Sequence, residues 1–286
     1  MRNNSDRIRP QVQQNDGPLE EINNKVEKNQ ELFSFAVPTE LVELPSKGRL
    51  YPEGHPLFQK SKVEIRFMTA KDEDILTSKS LLRQGLAIDR LIESVVVDKR
   101  IKTKDLLPGD RNAILISSRI SGYGADYQTN VTCPNCATVS KFNFDLESVK
   151  PSEEPDYDEL GLTSTESGTY LVTLPKSNVE IEFKILSGKE ESALLASIER
   201  QEKAGLPPTT TTNYLSSIIV SINGVSNRIQ IENFISVMPS IDSRFLRRVQ
   251  GAVTPNIDMK HHFLCSKCSH EQEVEIPITV DFFWSR

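Results

Sequence analysis

The sequence predicts an α+β fold made of two related halves, and three observations carry that prediction. All four cysteines fall in two CxxC pairs, Cys133/Cys136 and Cys265/Cys268, spaced 132 positions apart. Each pair lies between segments in which apolar and polar residues alternate, the period-2 pattern of a strand. Upstream of the two pairs, blocks of similar pattern recur in the same order. The expected architecture is two duplicated α+β halves, each ending in a CxxC knuckle at the tip of a hairpin, related by a pseudo-twofold axis.

Residues 1–35 are polar and lack periodicity, so they are expected to be an N-terminal tail that is disordered or ordered by a partner. The first half, 36–146, contains "ELPSKGRLYPEGHPL" (43–57), whose three prolines and two glycines predict an extended, turn-rich strap. "KVEIRF" (62–67) alternates as a strand. Thr69 then stands three before Asp72, so a hydroxyl caps a helix while an acid faces its N-terminal dipole. "LPGDRNAILISSRI" (107–120) opens with a proline and then an acid, as a helix does. "SGYGADY" (121–127) closes that helix with a C-cap and turn. Residues 147–168 hold seven acids against one lysine and are expected to link the halves.

The second half, 169–286, repeats the plan. "NVEIEFKILSGKEESAL" (178–194) resembles 62–76, with Ser187 three before Glu190. "LSSIIVSI" (215–222) resembles "LIESVVVD" (91–98), and "MPSIDSRFLRRVQG" (238–251) resembles 107–120. The offset grows from 116 through 124 to 132, the mark of loops lengthened in one copy. "GLPPTTTTN" (205–213) is a loop. In "VDFFWSR", Phe282 is expected to pack on the core as part of a last strand, while Trp284 either joins it or anchors a partner.

A CxxC turn supplies two thiolates, and a tetrahedral metal needs four ligands. Aligning Cys133 with Cys265 also aligns Val131 with Phe263, Phe142 with Val274 and Phe144 with Ile276, so the knuckles are equivalent and complete one site. The spacing far exceeds that of an ordinary zinc ribbon, so the shared site depends on the twofold relation. The expected metal is structural Zn2+, with iron in a rubredoxin-like cage as the lesser alternative. A redox CxxC needs its first cysteine at a helix N-terminus, and strand patterning on both sides argues against that. His261, His262 and His270 surround the second knuckle, but four thiolates leave no open position, so they are expected on the hairpin surface. His55 is expected to face solvent or bond to backbone.

The formal net charge is −6, so no global positive field draws the chain to nucleic acid or anionic lipid. No apolar run approaches the ~20 residues of a membrane span, and the first residues lack the apolar stretch of a secretory signal. A reducing cytosol is the expected setting, where paired cysteines hold metal. No GxSxG, HExxH, Walker or Rossmann motif is present. Asp72, Glu73 and Asp74 fit dipole compensation in a first helical turn better than acid–base chemistry. The chain is therefore not expected to be an enzyme. Zinc-ribbon nucleic-acid binding is an alternative, favoured by Arg244, Arg247 and Arg248 on one predicted helix with Lys260 and Lys267 nearby. The overall acidity and the lack of interleaved aromatics oppose it. An interaction protein is left.

Taken together, "ELPSKGRLYPEGHPL", "FMTAKDEDILTS", "LLPGDRNAILISSRISGYGADY" and "CPNC" resemble the baseplate hub subunit family of T-even-type contractile-tailed bacteriophages. The resemblance covers residues 40–146 well and the second half more loosely. It implies a structural subunit of the tail baseplate hub, present in the virion and in the host cytoplasm during assembly. The implied partners are other hub and tail proteins, or further copies around the tail axis, with no nucleic acid and no membrane. A transient hub-assembly chaperone, absent from the virion, is the alternative role. Of the family's residues only the CPNC cysteines carry over, and their role rests on the ligand argument.

Overall fold

A computed structural model describes residues 37–205, 207, 209–278 and 280–283. The tail expected at 1–35 and Trp284 lie outside the described residues. From Thr39 onward the chain forms one unit. It begins with β1 (Thr39–Glu43), antiparallel to β2 (Lys62–Arg66), with Val42 opposite Val63. The intervening strap is turn-rich as expected, but it folds inward. Leu44, Tyr51 and Leu57 are buried. Gly48 has φ 72°, and a Cβ there would meet the Lys60 nitrogen at 2.3 Å, so this turn requires glycine.

Four helices follow, α1 (Ala70–Thr77), α2 (Lys79–Arg83), α3 (Ala87–Val95) and α4 (Pro108–Tyr123). The predicted Thr69–Asp72 capping box starts α1. Asp72 is fully buried and accepts from Arg66 Nη1 at 2.7 Å and Nη2 at 2.9 Å. Burial alone would push this carboxyl up. The Arg66 guanidinium, the Ser94 hydroxyl and the Thr69 amide and hydroxyl outweigh burial and hold it well below the usual carboxylate range. A depressed folded pKa gives stability that is present above the unfolded value near ~4 and lost as pH falls through the folded one. Asp72→Asn is therefore expected to cost about 2–3 kcal/mol at pH 7 and to flatten the acid limb of the stability profile. Urea midpoints at pH 7 and pH 3 check this, and equal losses at both would contradict it.

Pro108 occupies the first turn of α4, and Gly124 closes it with φ 86°, as the sequence predicted. The hairpin β3 (Asp126–Thr132)/β4 (Val139–Asp145) places Tyr127 opposite Phe144, both buried.

Residues 147–168 are more than a linker. They contain β5 (Lys150–Pro151), α5 (Tyr157–Leu160) and β6 (Leu162–Ser164). The Asp156 carboxylate caps α5, Gly161 ends it at φ 64°, and Leu162 is buried. The charges that suggested a connector occupy exposed positions or cap the helix, and the structure is carried by the few residues between them.

Next come β7 (Tyr170–Thr173), β8 (Glu180–Phe183), α6 (Gly188–Lys203), α7 (Thr210–Ile218) and β9 (Ile219–Ile222). The four strands form an antiparallel sheet in the order β6-β7-β8-β9. The Ser187–Glu190 capping box starts α6 as predicted. The 205–213 loop is shorter than expected, because Thr210–Asn213 are already helical. The chain ends with α8 (Arg228–Val237), α9 (Ser240–Val253), β10 (Ile257–Asp258), the hairpin β11 (Lys260–Leu264)/β12 (Glu271–Glu275) and a 3-10 turn at Val280–Phe283. The described residues thus form a mixed α+β structure of nine helices and small sheets.

Two apolar clusters result. One joins β1, β2, α1, α3, α4 and the β3/β4 hairpin; the other joins the four-stranded sheet to α7, α8 and α9. Ile257, Ile276, Phe282 and Phe283 belong to the first cluster although they lie at the far end of the chain, after the residues of the second cluster. β10 pairs with β5, Ile257 opposite Pro151. The expected last strand is a 3-10 turn instead: Phe282 and Phe283 are both buried in one cluster, whereas successive residues of a strand face opposite ways. Phe282 is buried against Tyr127 at a ring separation of 4.9 Å, and its carbonyl accepts from Arg119 Nε at 3.0 Å.

Two buried carboxylates clamp similarly placed turns. Asp110, in the first turn of α4, accepts from the Ser46 amide at 3.0 Å, the Ser46 hydroxyl at 2.6 Å and the Tyr51 hydroxyl at 2.7 Å. Asp242, in the first turn of α9, accepts from the amides of Lys176 at 2.8 Å and Ser177 at 3.0 Å. Both acids are fully buried. Each clamps the turn after a strand reading Leu-Val-x-Leu-Pro, at Leu41–Pro45 and Leu171–Pro175.

Candidate metal centre

The two CxxC segments are the tips of the β3/β4 and β11/β12 hairpins, and they are built alike. The Cys133 amide donates to the Thr138 carbonyl and the Ala137 amide to the Cys133 carbonyl, both at 2.9 Å. The Cys265 amide donates to the His270 carbonyl and the Ser269 amide to the Cys265 carbonyl, also at 2.9 Å. Ala137 and Ser269 both adopt φ 54°, a left-handed conformation that turns the chain back after the second cysteine. The first sulfur of each knuckle accepts from amides two and three residues on: Asn135 and Cys136 for Cys133, Lys267 and Cys268 for Cys265. Such donors stabilise thiolate charge.

All four sulfurs lie within 4.8 Å of one another. Cys133 Sγ is 3.6 Å from Cys268 Sγ, and Cys136 Sγ is 3.7 Å from Cys265 Sγ. A tetrahedron with metal–sulfur bonds of about 2.3 Å has edges of about 3.8 Å, so these cross-hairpin separations fit one ion. The cysteines are free of disulfides. Cys133 and Cys265 are buried, Cys136 and Cys268 half-buried. Asn135 Nδ2 reaches across to Cys268 Sγ at 3.6 Å, so the first hairpin also supports a sulfur of the second. Beneath the sulfurs Phe142 packs edge-on against Phe263 at 5.7 Å, with Val131 and Val274 beside them.

The thiols are electrostatically unequal. Burial pushes Cys133 up to about 11, while the Thr138 hydroxyl, 3.2 Å from Cys136 Sγ, brings that thiol down to about 6. The Lys267 amide lowers Cys265. A cation would draw the remaining protons off, since thiolate is the ligating form. The chemistry fits a soft, four-coordinate ion held with no protein position left open.

A family model described as T4 bacteriophage base plate protein matches residues 37–284. The chain belongs to that family. Comparison with curated proteins found no match, and neither did comparison with solved structures.

In this base plate protein the other candidate residues stay outside the sulfur cluster. His261 packs edge-on to Phe144 at 5.0 Å with its Nε2 3.3 Å from the Ser148 hydroxyl, so it is half-buried rather than on the surface. His262 sits 3.5 Å from the Glu271 carboxylate, and His270 lends only its carbonyl to the knuckle. His55 stacks on Tyr51 at 4.5 Å, and its Nδ1 accepts from the Leu57 amide at 3.2 Å, the backbone-bonded option of the two expected. Asp72 is spent on Arg66, and Glu73 accepts from the Tyr123 hydroxyl at 3.2 Å. Arg244, Arg247 and Arg248 are exposed on α9. The buried pair Asp110 and Asp242 escaped the sequence reading. The signal was present in the repeated Leu-Val-x-Leu-Pro and in the acid at the third position of both helices. Among the described residues no helix is long and apolar enough to cross a membrane.

Proposed function

We propose that this base plate protein is a structural subunit of the baseplate hub, acting in tail assembly through protein–protein contacts. In this reading Zn2+ bound by Cys133, Cys136, Cys265 and Cys268 fixes two halves, 36–146 and 169–286, that arose by duplication and face each other across a pseudo-twofold axis. The carrying observation is the closed set of four sulfurs drawn from two hairpins far apart in sequence. Equal hydrogen bonding and equal φ at the knuckles, and the paired clamps of Asp110 and Asp242, support the duplication. A donor set without an open position suits a structural ion rather than catalysis, and supports a non-enzymatic role. Other hub and tail proteins are the partners, the tail baseplate of the virion is the location, and the host cytoplasm is the site of assembly. The acidic net charge supports the absence of nucleic-acid partners.

Quantitative mass spectrometry of purified particles tests the role. A small, fixed ratio to a known baseplate protein is the expected result. Presence only in assembly intermediates would replace the hub subunit with an assembly chaperone. Salt-sensitive binding of plain duplex or single strands by the purified chain would move the zinc-ribbon alternative forward.

A further inference from the structure

Asp110 of α4 and Asp242 of α9, the two clamping acids, stand 132 positions apart, the spacing of the cysteine pairs. Counted from those acids, Gly109, Asn112, Ile116 and Arg119 of α4 correspond to Ile241, Arg244, Arg248 and Gly251 of α9. Steps of three and four place each set on one face of its helix. On α4 that face is covered by polypeptide. Gly109 lies against the Pro255 carbonyl with no room for a Cβ, Asn112 Nδ2 donates to Asn256 Oδ1 at 3.4 Å, and Arg119 Nε donates to the Phe282 carbonyl at 3.0 Å. Ile116 between them is buried in the first cluster. On α9 the corresponding face is bare among the described residues. Ile241 is 59% exposed, Arg244, Arg248 and Gly251 are exposed, and a Cβ at Gly251 would meet nothing within 4 Å. Arg244, Arg247 and Arg248 line an open groove with Ile241, Phe245 and Pro175, and among the described residues none of the three is in an ion pair. The amides of Lys176 and Ser177 donate to Asp242, so the Pro175 wall is fixed to the start of α9 before anything binds.

We propose that this face of α9 binds an extended acidic segment of a partner protein, with two carboxylates two residues apart and an apolar side chain beside them. Arg244 and Arg248 are four residues apart, about 6 Å along the helix axis. An extended chain sets side chains of one side about 6.6 Å apart, so an acid-x-acid segment laid along α9 meets both guanidinium groups at once. Ile241 then receives the apolar neighbour. Polypeptide is the expected cover because polypeptide covers the corresponding face of α4. A nucleic acid would find no free ring on which to stack a base, since the Arg248 guanidinium already lies 5.5 Å over Phe245. The net charge of −6 sets this positive strip against an acidic background, so an acidic partner is steered to the strip and repelled elsewhere. The inference rests on the contact-making role proposed above and gives one partner its chemistry; it is independent of the zinc reading.

Fluorescence anisotropy of labelled short peptides with the full chain tests it. The probe holds Leu-Ser-Glu-Ser-Glu, and its isomer with adjacent acids holds Leu-Glu-Glu-Ser-Ser. At low salt the first is expected to bind with a dissociation constant below about 1 mM, and more weakly as salt is added. The isomer should bind at least about threefold more weakly, because one of its carboxylates faces away from the helix. Arg244→Glu/Arg248→Glu should lose the acidic probe and gain the counterpart holding Leu-Ser-Lys-Ser-Lys, a gain that also shows the variant to be folded. No saturable binding of the acidic probe, indifference to the spacing of its acids, or a reversed variant that takes neither peptide would each overturn the proposal. So would single-stranded DNA displacing the acidic probe at equal charge, or a self-association of the wild type that the same double variant abolishes. The count of this chain in purified particles does not enter these readings, so the hub role and the acidic partner can fail separately.

Discussion

Cys265→Ser is expected to release the metal and most of the folding stability together. The remaining three thiolates cannot close a tetrahedral site, and structural zinc contributes apparent free energies of about 10–16 kcal/mol in small zinc modules at neutral pH. A typical domain is stable by only about 5–15 kcal/mol, so even part of that loss is severe. Metal analysis should give about one zinc per wild-type chain and close to none in the variant. The melting temperature should fall steeply, and a strong chelator acting on the wild type should reproduce the fall. His270→Ala, which removes a nearby ring but no sulfur, should retain both metal and stability. Wild-type stability and metal content in Cys265→Ser would end the shared-site reading. Stoichiometric iron in the native protein would keep the geometry and replace the ion.

Asp110→Ala is the second large effect. The Ser46 amide, the Ser46 hydroxyl and the Tyr51 hydroxyl all donate to this carboxylate inside the protein. Truncation leaves three buried donors without an acceptor, a loss of about 3–5 kcal/mol. The strap should loosen with it, because the Tyr51 hydroxyl also accepts from the Leu107 amide at 3.1 Å and so ties the strap to the start of α4. Denaturant midpoints measure the loss, and amide exchange over 43–57 locates it. Asp110→Asn adds a test of sign. Burial raises the Asp110 carboxyl despite its donors. A raised folded pKa gives a stability increment that is complete below the unfolded value near ~4 and fades as pH rises through the folded value. The advantage of the wild type over the permanently neutral Asn variant should therefore shrink between pH 4 and pH 7. A constant difference would contradict this.

The cluster of four sulfurs was the most legible part of the sequence. Spacing, the alternation around Cys133 and Cys265, and the valence of a tetrahedral ion together pointed to four residues, and those four sulfurs meet. Helix starts were nearly as clear, because Thr69/Asp72 and Ser187/Glu190 are local chemistry that needs no tertiary context. The acidic segment misled because charge density says where side chains face and not whether the backbone between them is ordered; Asp156, Gly161 and Leu162 carried the turn and strand signals beneath it. The course of the last residues was not legible. Burial of Phe282 and Phe283 depends on an empty place beside Tyr127, which no local pattern near residue 280 records.

That placement has a consequence for how the molecule comes into being. Residues 39–146 leave the ribosome first, yet the apolar cluster they begin is finished by Ile257, Ile276, Phe282 and Phe283, and one of its hydrogen bonds spans 163 positions. Synthesis at about 5–20 residues per second keeps the early segment waiting many seconds for its closing pieces. Folding of the first half is therefore expected to follow translation rather than accompany it, with loop closure as the slow event. Nascent chains stalled before residue 257 should remain open to protease across 39–146, whereas released full-length chains should not. Early protection in the stalled chains would show that the first cluster closes without its late-arriving aromatics.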